Sequence, residues 1–119
     1  MNFLRNLFGK TQSKPAQQEN DLVLAEEYFT KATGIATRQN PQPEDWQKAI
    51  GLLNETVRLN PKHAKAQMSL CMCYGGLMDF DSARRHYEIL KQLDPNLANR
   101  LAQTPAGMMI LRGGSVISL

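Results

Sequence analysis

The chain has 119 residues, 42% hydrophobic and 21% charged, proportions that fit one folded unit and exclude wholesale disorder. Its formal net charge is only +3. The basic side chains, such as Lys14, Lys31, Arg38, Lys48 and Arg58, are scattered rather than gathered with aromatics on one face, so no nucleic-acid partner is expected.

Residues 1–10 hold an apolar stretch interrupted by Arg5 and Asn6, too short for the core of an export signal. Wound as a helix, it places Phe3, Leu4, Leu7 and Phe8 on one side, with Arg5 and Lys10 able to meet anionic headgroups. Weak contact with a membrane surface, or with a protein surface, is the expectation. Gly9 to Asn20 is polar, contains Pro15 and shows no apolar periodicity. Residues 1–20 are therefore expected to be an apolar segment and linker ahead of a domain at 21–103. From Asp21 a helical pattern begins, with Leu24, Tyr28, Ala32 and Ile35 on one face. Pro41 and Pro43 break it. Glu44 and Asp45 then favour the positive end of a second helix, which is expected to bury Trp46, Ala49, Ile50, Leu53 and Val57 and to stop at Asn60-Pro61. A third helix is predicted from about Lys62 to Leu77 and a fourth from about Asp81 to Leu93, with a shorter one at Asn96–Gln103. Thr104-Pro105 suits an N-cap and first helical position for one or two further turns, with Gly113 as their stop. Only Ser115 to Leu119 alternates, weakly, like a strand.

Displaced by 34 residues against itself, the chain places Trp46 on Phe80, Ala49 on Ala83, Leu53 on Tyr87 and Asn60-Pro61 on Asp94-Pro95. Ala64 to Pro95 resembles one complete tetratricopeptide repeat. Leu70, Cys71 and Tyr74 match the pattern of its first helix, and Ala83, Tyr87 and Pro95 that of its second. Gln67 stands where the family often has Trp, and Met78 where it often has Gly. A looser repeat covers residues 25–61, its turn enlarged by the Pro-rich Gln39–Glu44, and residues 96–103 resemble a third repeat cut short into a cap. The resemblance implies an all-α fold of antiparallel helix–turn–helix repeats with a C-terminal capping helix. With only two repeats and a cap in the tail-bearing chain (tail 104–119), either a homodimer or the folding back of residues 106–119 is expected to cover the apolar face that stacking leaves open.

The resemblance also implies a function: a non-catalytic adaptor, chaperone-like module or assembly scaffold that receives a peptide or helix of a protein partner in a concave groove. Carried onto this sequence, the groove is formed by Phe29, Thr33 and Ala36 from the first helix and Lys65, Met68, Met72 and Gly75 from the third, with open room beside the methionines at Gly75-Gly76. Met68 and Met72 have two readings, as flexible groove residues or as core. The Lys/Asn set with which some members of the family clamp a terminal carboxylate is missing apart from Lys65. Anchoring through the segment 1–10 is the alternative function.

Enzymatic readings lack residues. His63 and His86 sit in different helices, each among basic neighbours, and neither spacing suits metal ligation. The Gly-Gly pairs lack the rest of a phosphate-binding motif. No cofactor is expected. Cys71 and Cys73, two apart on a helix, point about 200° away from each other. They cannot pair or share a metal, and as free thiols they fit a reducing, cytoplasmic setting.

Overall fold

A computed structural model of the chain describes residues 15–112. Among them it contains six helices and no strand: α1 (Pro15–Ala36), α2 (Pro43–Leu59), α3 (Ala64–Gly76), α4 (Phe80–Leu93), α5 (Pro95–Ala102) and α6 (Pro105–Leu111). Proline opens α2, α5 and α6, where its fixed φ suits the first turn and its missing N–H forfeits no intrahelical bond. Side chains occupy donors left over at helix starts, that of α4 included. Asp79 accepts the Ser82 amide at 3.1 Å, Asp94 that of Leu97 at 3.0 Å, and Thr104 that of Gly107 at 3.0 Å. At α2, Gln42 and Asp45 cap each other's backbone reciprocally, and Asp45 also bridges Arg38 at 3.1 Å. That bridge joins the end of α1 to the start of α2 and closes an antiparallel hairpin.

α3 and α4 form a second hairpin, joined through Leu77-Met78-Asp79. Met78 takes φ 65°, the left-handed region where a Cβ crowds the following carbonyl, so the site would suit glycine. Its side chain stands 69% exposed and gains little from packing.

Two apolar clusters hold the helices together, and α3 lies between them. Ala32, Ala49, Ile50, Leu53, Ala66, Leu70 and Cys73 join α1, α2 and α3. Cys71, Ala83, Tyr87, Leu90, Ala98, Leu101 and Ile110 join α3 to α4, α5 and α6. Cys71 and Cys73 thus face opposite ways, each in its own cluster, as their spacing requires. Burial raises both thiols to about 11, so they stay protonated at neutral pH and act as small apolar side chains. Alanine fills the crossings: Ala32, Ala49, Ala66, Ala83 and Ala98 are all 0% exposed, which brings the helix backbones close.

Three expectations need correction. The linker assigned to Gly9–Asn20 does not extend to Asn20, because α1 is already helical at Pro15. Its first residues, Ala16 to Asn20, are all exposed, so no apolar period announces them. Proline at the start, good helix formers behind it and a Gln17–Asp21 hydrogen bond of 3.0 Å sustain that turn instead. Second, the buried stripe of α1 is rotated. Ala25 and Ala32 are buried while Leu24 is 38% exposed, and α1 packs chiefly on α2, meeting α3 at only a few positions. Third, Trp46 and Val57 are half-buried, while Thr56 is fully enclosed beside Ala49 and Leu53, its hydroxyl donating to the Leu52 carbonyl at 3.0 Å.

Thr104-Pro105 does start a helix. α6 turns back onto α3, α4 and α5, burying Ile110, and Arg84 donates to the Ile110 carbonyl at 3.2 Å. Gly113, the alternating Ser115–Leu119 and the apolar Phe3, Leu4, Leu7 and Phe8 lie outside the described residues. No helix among the described residues is long and apolar enough to cross a membrane.

Candidate binding trough

α1 and α6 both pack on α3 but not on each other. Between them runs a trough whose floor is α3. Its deeper part is a cavity of about 370 Å³. Thr33 and Ala36 of α1, with Thr37 just after it, form one wall and Ala106, Met109 and Ile110 of α6 the other; Ser69, Met72, Cys73, Gly75 and Gly76 form the floor, and Trp46 and Phe80 close the end. No charged side chain lines this part. A shallower concavity of about 500 Å³ shares Met72 and Ala106 with it and continues over Met68, Leu97, Arg100, Leu101, Thr104 and Pro105.

The floor takes its shape from two glycines. A Cβ at Gly76 would stand 2.7 Å from the indole of Trp46, and one at Gly75 would stand 2.8 Å from Cδ1 of Ile110. The room expected beside Gly75 is therefore filled by α6, and the open space lies over Met72 instead.

Of the expected groove residues, Thr33, Ala36, Met72 and Gly75 line the deeper part and Met68 the shallower one. Phe29 lines neither. It packs against the first core cluster, with its ring centroid 4.6 Å from that of His63. Lys65 is exposed on the face of α3 one turn before Met68, beyond both linings. The two methionines differ. Met72 is 44% exposed and common to both concavities, whereas Met68 packs on the second core cluster. Sequence reasoning missed Trp46, Phe80, Met109, Ile110 and Arg100 as lining residues. The coincidence of Trp46 and Phe80 at the 34-residue displacement was a usable signal, since it puts two aromatics at equivalent places in consecutive hairpins.

Both histidines brace the floor helix from outside the lining. His63 is the N-cap of α3: its Nδ1 accepts the Ala66 amide at 3.1 Å, so the ring proton sits on Nε2 and donates to Glu26 of α1 at 2.5 Å. This ties α1 to the start of the floor helix. His86 stacks on Tyr74 with an interplanar angle of 7°, and its Nδ1 donates to Oε1 of the buried Gln67 at 2.7 Å.

Burial, and then the charge of Arg85, hold His86 below the ordinary histidine value. The unfolded chain binds that proton more readily. The contribution of His86 to stability is thus full above about pH 6.5 and is lost as pH falls through the lowered folded value. His86→Gln should make the melting temperature fall less between about pH 7.5 and about pH 5 than it does in the parent chain. Thermal unfolding followed by circular dichroism checks this, and parallel curves for the two proteins would refute it.

No protein-family model, curated protein or solved structure matches the chain. The functional reading therefore rests on the trough itself.

Proposed function

We propose that the chain is a non-catalytic protein-interaction module of the tetratricopeptide-repeat kind, an adaptor or assembly scaffold that holds a peptide or helix of another protein in the trough over α3. The observation that carries this reading is a largely apolar trough, uncharged in its deeper part, between two helices that do not touch. Concave apolar surfaces with a few polar groups among the lining, here Thr33, Thr37 and Ser69, suit apolar anchors from a partner. Two consecutive hairpins offset by 34 residues support the family. Met72 and Met109, both half-exposed and flexible, can repack around different side chains. The Cys73 thiol in the lining is protonated and offers no nucleophile. Buried free thiols at Cys71 and Cys73 accord with a reducing, cytoplasmic setting.

Ala106 is exposed and lines both parts of the trough, so Ala106→Trp should fill it without disturbing the core. In affinity capture followed by mass spectrometry, proteins retained by the intact chain should be lost with this variant. The emission of Trp46, the chain's single tryptophan, should shift when a captured partner is added back. Capture of the same proteins by both chains would refute the trough as the binding site.

A further inference from the structure

The wall helix α6 ends at Leu111, with Arg112 as its C-cap. Its last turn sits at the aromatic end of the trough, where Ile110 lies against Gly75 and gives its carbonyl to Arg84. The chain that follows, residues 113–119, lies outside the described residues and reads Gly-Gly-Ser-Val-Ile-Ser-Leu. It therefore starts beside Trp46 and Phe80, at the mouth of the deeper part. It carries no charged side chain, and neither does the lining there. The pair Gly113-Gly114 supplies the positive φ angles that a tight reversal requires. Extended, Ser115 to Leu119 span roughly 16 Å. The floor from Gly76 to Met68 is about 12 Å long, so the segment matches it in length as well.

Building on the trough as a peptide site, we infer that residues 113–119 of the same chain turn back at Gly113-Gly114 and occupy it, so that a partner must displace them. Val116, Ile117 and Leu119 then cover Met72 and Met109, which without the segment stand 44% and 52% exposed. One side of the segment faces the open mouth of the trough, so its backbone keeps water as a hydrogen-bond partner. The N-terminal segment suits the place less well. Arg5 interrupts its apolar run, and a charge in the deeper part would lose its water with no partner in return. It also joins the described fold at Pro15, about 27 Å along α1 from Thr33. The same tail from a second copy is outcompeted, because a segment tethered at the mouth acts at an effective concentration in the millimolar range.

The test uses the full chain with Ile117 replaced by p-benzoylphenylalanine, a photoreactive residue that favours methionine. Irradiation followed by peptide mapping should join position 117 to Met72 within species of monomer mass. Ala106→Trp, which fills the trough, should abolish that link. In the otherwise unaltered chain, Ile117→Asp should expel the segment, raise acrylamide quenching of Trp46 and move its emission to longer wavelength. A missing Met72 link, a link that survives Ala106→Trp, or an emission spectrum that Ile117→Asp leaves unchanged would each overturn the inference. A Met72 link found only in species of dimer mass would give the place to a second copy's tail and overturn it as well. The peptide-site reading is judged separately, by the capture experiment with Ala106→Trp. If the tail inference fails while that variant still loses its captured proteins, the trough stands as a partner's site. If the Met72 link forms while both chains capture the same proteins, the tail occupies the trough but displaces no partner, and the competition inferred here falls with that reading.

Discussion

Gly107→Ala should unseat α6 and lower the melting temperature by about 10 °C or more. A Cβ at Gly107 would stand 1.8 Å from the Leu101 carbonyl oxygen, a backbone atom that no rotamer change can move aside. That oxygen is already held, accepting the Thr104 hydroxyl at 2.7 Å while the same hydroxyl accepts the Gly107 amide at 3.0 Å. Relief must come from parting α5 from α6, and either motion draws Leu101 or Ile110 out of the second core cluster. Exposing one such side chain costs about 1.5–3 kcal/mol, and each kcal/mol moves the midpoint of a small domain by roughly 4–8 °C. Thermal circular dichroism of the variant beside Met108→Ala, which alters an exposed neighbour, gives the comparison. Because α6 forms one wall of the trough, Gly107→Ala should weaken peptide binding as well. An unchanged midpoint would mean that the α5–α6 corner is not packed as described.

The sequence revealed most where a local rule acts on neighbouring residues. Asp94-Pro95 and Thr104-Pro105 carry both a side-chain acceptor and a ring suited to the first turn, and both start helices. Cys71 and Cys73 point apart because helix geometry alone decides it. Features that depend on distant residues were hidden. Nothing near His63 announces that it caps α3, because its second partner is Glu26, 37 positions away on another helix. Leu24 reads as more apolar than Ala25, yet the fold buries the alanine and leaves Leu24 38% exposed. The same limit applies to the trough. Its floor was legible as a face of α3 at Met68 and Met72. Its far wall was not, since Met109 and Ile110 reach it only when α6 turns back at a corner that Gly107 permits. Phe29 shows the cost of assigning a face by register alone, since its ring lies beside His63 and not in the trough.

Met72→Ala and Leu53→Ala should separate binding from folding. Leu53 is 0% exposed within the first core cluster, so its truncation should cost about 2–5 kcal/mol of stability through lost burial and the cavity left behind. Met72 is 44% exposed on the trough floor, and its loss should destabilise the fold by well under 2 kcal/mol. Partner affinity should follow the opposite order. Met72 touches both concavities, so an anchor seated in either one meets it, and removing it should weaken binding by about 1 kcal/mol or more. Met68 is the intermediate case. It lines the shallower concavity while packing on the second core cluster, so Met68→Ala should lower both the unfolding midpoint and the affinity. Chemical denaturation and anisotropy titration on the same three variants measure the two quantities independently. If Met72→Ala lost as much stability as Leu53→Ala while leaving affinity intact, Met72 would be a core residue, and the floor of the trough would not be the surface that a partner touches.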